Sequence, residues 1–237
     1  MIKCPVCLAE NDDFDTTCIK CKAFLQNRVP NLDLFDTAWK VLVSPRFTFQ
    51  QIILAEHKNY SLLLFSLFGI SLSFTAFWYF RLGSRFETLL DLLPWALIVG
   101  IALGAASAII LTLVYHTIAK LFGGIGAVRD SLALLAYSLT PVVASLFIVL
   151  PIELMTFGMY LFTSNPQPYT IKPVSYVILV GFDAIVSLWT IGLAILATKV
   201  GHRISTTKSF IVTIVTLALF GGAMLFTAAK LHLPDQA

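Results

Sequence analysis

Five apolar runs decide what this chain can become. They lie at about 60–80, 92–115, 131–152, 174–198 and 209–229, and each approaches or exceeds the roughly 20 residues a helix needs to cross a 30 Å hydrocarbon core. Apolar residues make up 58% of the chain and charged residues 12%, against about 45–50% and about a quarter in soluble domains. That excess needs lipid to hide in. Within lipid every backbone polar group must be satisfied inside its own segment, so the runs are expected to be helices. The expected fold class is an all-α polytopic membrane protein, a five-helix transmembrane bundle over 60–229 with a short tail at 230–237.

The third run is the most informative. A glycine-rich turn, Gly123-Gly124-Ile125-Gly126, leads through Arg129 and Asp130 into it, and Tyr137, Ser138, Thr140 and Pro141 lie in its middle. Pro141 has no N–H to donate and disfavours helical geometry at Thr140, so a kink is expected there. A break of this kind survives in lipid only where neighbouring helices or hydroxyls satisfy the freed carbonyl. The run is therefore expected inside the bundle. Whether it ends at Pro151 or continues is left open by the apolar stretch that follows.

Lys and Arg in the connections set the orientation. With the N-terminus inside, twelve fall on the inner side and four on the outer side. The expectation is a multi-pass cell-membrane protein with a cytoplasmic N-terminus and its C-terminus outside. No cleavable leader is visible at the start, where MIKCPVC carries charge and cysteine in place of an apolar region.

All four cysteines fall in the first 21 residues, as Cys4, Cys7, Cys18 and Cys21, in a C-x2-C-x10-C-x2-C spacing. Two such hairpins offer four thiolates to one tetrahedral ion, and the expected cofactor is one structural zinc in a ribbon over 1–28. Disulfides and iron are the alternatives, and a reducing cytosol disfavours the first. Asn11, Asp12 and Asp13 suit a turn between short strands. Zinc ribbons usually carry glycine after the second cysteine of each pair, where this chain has Leu8 and Lys22. Charges within the first thirty residues balance, which removes the driving force for nucleic acid and favours a protein partner.

The segment 29–59 is amphipathic and too short to span. Leu34, Phe35, Ala38, Trp39, Val41 and Leu42 follow helical spacing, Ser44-Pro45 interrupts, and a second helical piece follows. It either lies at the lipid interface, with Trp39 and Phe47 at headgroup depth, or packs on the bundle.

Asp183 sits near the middle of the fourth run, where a carboxylate is expensive unless neutral or paired. It reads as a proton or cation site, or as a hydrogen-bonded group serving Tyr137, Ser138 or Thr140. With no second acid in view, the structural role leads. Gly100 and Gly104 form a G-x-x-x-G that lets helices approach closely, inside the chain ahead of dimerisation. A homo-oligomer stays open. His57, His116, His202 and His232 read as solvated and interfacial. No hydrolase, zinc-protease or phosphate-loop motif occurs, so no enzymatic activity is expected.

These features together resemble the Yip (Ypt-interacting protein) family over about Phe35 to Ala229. Trp39 with Ser44-Pro45-Arg46 is similar to the family's approach to its first span. GGIG followed by LLAYSLTPVV resembles its third-span signature, and LWTIGLAILATKVGHRISTTKSFIVTIV its last two spans with their loop. The ribbon ahead resembles prokaryotic members. The resemblance implies five spans and a cytosolic N-terminus, and eukaryotic relatives act in vesicle traffic with Rab-type GTPases. The expected function is a membrane organiser or adaptor that meets the bilayer through its spans and an unidentified protein through its ribbon. A small solute or ion transporter using Asp183 is the alternative.

Overall fold

The computed structural model describes residues 2–12, 15–26 and 29–232. Expectations that touch Asp13, Arg28 and the tail after residue 232 lie outside the described residues. Among the described residues, five helical segments are long and apolar enough to cross a membrane: Ser61–Tyr79, Leu89–Leu121, Val128–Phe162, Pro173–His202 and Thr206–Thr227. The fold class expected from the apolar runs is the one observed. Span ends differ, because helices continue past the apolar windows. The second starts at Leu89 behind a capping box in which Thr88 and Asp91 serve each other's backbone N–H groups.

The chain begins with a small unit in which β1 (Ile2–Lys3) pairs antiparallel with β2 (Glu10–Asn11). Helices α1 (Leu34–Val43) and α2 (Pro45–Leu54) follow, flanked by β3 (Val29–Asn31) and β4 (Ala55–His57), which pair in parallel. Asp33 caps α1 by accepting from the Asp36 N–H, and Pro45 occupies the first turn of α2. Val41, Phe49 and Ile52 are fully buried in one core with residues of the spans. This segment therefore packs on the bundle, and it contains strands that helical spacing did not suggest. Its outer face keeps Phe35, Trp39, Val43 and Phe47 exposed.

Three links pin the segment to the start of the third span. Lys58 Nζ donates to the carbonyls of Ile52 and Ile53 at the end of α2 and reaches Asp130 Oδ1 at 3.0 Å. Arg129 donates to the Glu56 carbonyl at 2.6 Å, and Tyr137 Oη to the Asn59 carbonyl at 3.1 Å.

The spans are α3 (Ser61–Tyr79), α4 (Leu89–Leu121), α5 (Val128–Ser138) with α6 (Thr140–Phe157), α8 (Pro173–His202) and α9 (Thr206–His232). The four-residue α7 (Pro168–Ile171) precedes α8. The third span buries 61% of its apolar window against 17% for the fourth and fifth, which puts it in the bundle interior. Its break falls at Leu139, between α5 and α6, with Pro141 in the first turn of α6. Pro141 has no N–H to give the Tyr137 carbonyl, and Thr140 Oγ1 donates to that carbonyl instead at 2.6 Å. The helix then runs through Pro151 to Phe157 and on as a 3₁₀ turn over Gly158–Phe162. The third span thus extends past Pro151.

Helices α3 and α4 cross with their backbones almost touching. A Cβ built on Gly69 would lie 2.2 Å from the Gly100 carbonyl oxygen, and one on Gly104 would lie 2.4 Å from that of Phe65. Gly100 and Gly104 thus serve a contact within the chain, whose third member is Gly69.

Candidate metal centre and intramembrane sites

The two cysteine hairpins repeat one geometry. The Cys4 N–H donates to the Ala9 carbonyl at 2.9 Å and the Leu8 N–H to the Cys4 carbonyl at 3.0 Å; Cys18 with Ala23 and Lys22 with Cys18 do the same at 2.8 and 3.0 Å. Leu8 and Lys22 adopt φ of 58° and 59°. The tight turn that usually takes glycine therefore forms without it, at about 1–2 kcal/mol per residue.

All four sulfurs lie within 4.8 Å of one another, with Cys4–Cys21 at 3.6 Å and Cys7–Cys18 at 3.5 Å. A tetrahedral ion with metal–sulfur bonds of about 2.3 Å has sulfur–sulfur edges near 3.8 Å, so the set is of the right size for one ion. The backbone N–H groups of Cys21 and Lys20 pull the Cys18 thiol down to about 6 against its burial. For Cys21 the Ala23 N–H pulls the thiol down, and the crowding sulfurs of Cys7, Cys4 and Cys18 outweigh it and push it up to about 12. Four sulfurs this close cannot all be thiolates without a cation among them, and that is the chemistry of a metal centre.

Charge neutrality of the ribbon conceals a separation. Glu10, Asp12 and Asp15 lie on one side of a cleft of about 780 Å3, facing Arg46 of α2 and Lys199 and Arg203 at the end of α8. Asp12 and Arg203 form an ion pair across it. The acidic side of the ribbon thus docks on the basic end of the bundle, while Val6, Leu8, Ile19 and Phe24 remain exposed.

Within the bundle, Asp183 does not meet Tyr137, Ser138 or Thr140. Tyr137 turns to Asn59, and Ser138 and Thr140 bond to the backbone of their own span. Asp183 accepts instead from Ser145 Oγ at 3.1 Å, with Glu153 of α6 close by. A second acid therefore stands beside it, against the expectation of a lone carboxylate. Both line a cavity of about 440 Å3 between α3, α6 and α8.

Two of the histidines are also corrected. His202 is 1% exposed, and Ser131 Oγ lies between His202 Nε2 at 3.0 Å and His116 Nδ1 at 2.9 Å. Ser131 Oγ also donates to the Ala127 carbonyl at 3.1 Å. The hydroxyl has one proton for three neighbouring acceptor positions, and the ring tautomers decide which of them it serves. The glycine turn is shaped around this group, since a Cβ on Gly124 would sit 2.8 Å from His202 Nδ1. His57 is exposed, and the side chain of His232 lies outside the described residues. Sequence spacing had no signal for the cluster, which three separate helices assemble.

No curated protein and no solved structure matches this chain. The Yip1 domain matches residues 39–227, which takes in the segment from Trp39 through all five spans. The chain belongs to the Yip1 domain family.

Proposed function

We propose that this protein is a non-enzymatic membrane organiser whose ribbon, held in the cytosol, recruits a protein partner. The observation that carries the reading is the exposed apolar set on the ribbon, with Val6 at 72%, Leu8 at 74% and Phe24 at 61% exposure. Side chains of this size left uncovered on a small rigid unit mark a contact surface. Cys4, Cys7, Cys18 and Cys21 would hold one structural zinc, which supplies the cross-link that so small a unit needs in order to keep its shape. The excess of basic residues on the ribbon's side of the bundle supports its cytosolic placement.

Cross-linking in cells followed by affinity purification tests the reading. Val6→Ser/Leu8→Ser/Phe24→Ser should lose specific partners that the wild type retains, while insertion and zinc content stay the same. An unchanged partner set would overturn it. Thiol labelling of intact cells tests the orientation, and modification of Cys21 from outside would refute it. A second reading, a small solute or ion transporter, is favoured by the Glu153–Asp183 pair and its cavity.

A further inference from the structure

The cavity between α3, α6 and α8 has a polar corner and aromatic walls. Glu153 and Asp183 occupy the corner together with Ser145, and Phe68, Phe74, Trp78 and Phe162 contribute rings. Asp183 lies ten residues into α8, about 15 Å along its axis from Pro173. No Lys, Arg or His is among the residues lining the space.

We propose that this cavity is a binding site for a monovalent organic cation with an apolar body. Two carboxyls in one cavity between apolar spans must be neutral or be matched by positive charge, and no basic side chain lines the wall. Protonation neutralises each carboxyl but leaves the space between the rings unfilled. An organic cation brings a full charge to the corner and places its apolar body against rings whose faces attract cations. Ca2+ or Mg2+ fits poorly, because each requires six or more oxygen ligands and most of the lining is apolar. A lipid tail also fits poorly, because it would leave the carboxyls against hydrocarbon. The volume of about 440 Å3 lies in the range of pockets that take drug-sized molecules. The inference concerns binding alone and stands whether or not the chain moves a solute.

Equilibrium dialysis of radiolabelled tetraphenylphosphonium against the full-length protein in nanodiscs of zwitterionic lipid tests it, with empty nanodiscs as the partition control. The wild type should bind saturably at one ion per chain, and neutral triphenylphosphine oxide should not. Asp183→Asn/Glu153→Gln should weaken binding at least about thirtyfold, as expected for loss of charge-assisted contacts. Ser187→Trp keeps both carboxyls and fills the space, so it should abolish binding even if the double variant fails to fold. Absence of saturable binding, equal affinity for the neutral compound, or unchanged affinity in either folded variant would overturn the proposal.

Discussion

Replacing Gly69 with alanine adds one carbon at the closest approach of α3 and α4. That carbon would sit 2.2 Å from both the Gly100 oxygen and the Gly104 nitrogen, where an ordinary carbon–oxygen contact is about 3.4 Å. Both obstacles are backbone, so no side chain can rotate away, and the helices must part by about 1 Å. A gap of that size forfeits up to half of each atom-pair attraction, and over about thirty pairs at about 0.15 kcal/mol the loss is about 2 kcal/mol. Water offers no compensating drive within lipid, since hydrocarbon surrounds the helices either way. Thermal unfolding of the purified protein in detergent should then show a midpoint lowered by about 4–8 °C. Gly192→Ala is the control: it lies in α8 with nothing within 4 Å of its added carbon, and helix propensity alone should leave it neutral or slightly more stable. A Gly69→Ala protein that melts at or above the wild type would refute the packing argument, as would equal shifts in both variants.

Leu8→Gly and Lys22→Gly relieve left-handed backbone in the ribbon, and each should raise resistance of bound zinc to a chelator by about fivefold, read as metal release over time. Cys18→Ser should reduce zinc content measured by mass spectrometry to near zero while leaving the five spans inserted. Lys58→Met removes a buried ammonium and strands Asp130 and two helix-end carbonyls, at about 2–3 kcal/mol of stability in the same melting assay. Burial lowers the Lys58 pKa, with Asp130 opposing that shift. The folded protein therefore releases the Lys58 proton at a lower pH than the unfolded chain does. Stability from this group should accordingly rise with pH between the lowered value and about 10.4, and the slope should vanish in Lys58→Met. Asp12→Asn and Arg203→Gln should show a coupling of about 1 kcal/mol in ribbon docking, measured by protection from proteolysis and weakened by salt.

The five spans were legible because each rests on a local apolar run that only lipid can accommodate. The break near Pro141 was legible for a similar reason, since one missing donor and one nearby hydroxyl lie within a few residues of each other. The cysteine spacing likewise foretold the clustered sulfurs. What the residues alone did not reveal depends on register between distant segments. Glu153 was passed over because the residues left open whether the third span continues past Pro151, whereas the helix runs on and brings this acid into the cavity with Asp183. His116, Ser131 and His202 come from three helices whose rotation no single-helix pattern encodes. Leu8 and Lys22 take a backbone shape that propensity argues against, because the sulfur cluster and two repeated backbone hydrogen bonds hold them there. The pairing of β3 with β4 escaped notice because each strand is only three residues long.

The pins from residues 56–59 to the third span carry a consequence for how the protein is made. Their partners lie 73 and 78 positions further along the chain, so a ribosome delivers the amphipathic pair α1–α2 well before anything exists to receive it. Until Arg129 and Tyr137 have entered the bilayer, the inner faces of those helices have no protein to cover them. The nascent N-terminal region must rest against lipid or an insertion factor during that interval. Its cover is completed only with the fourth span, because α2 packs against α8 as well as against α5.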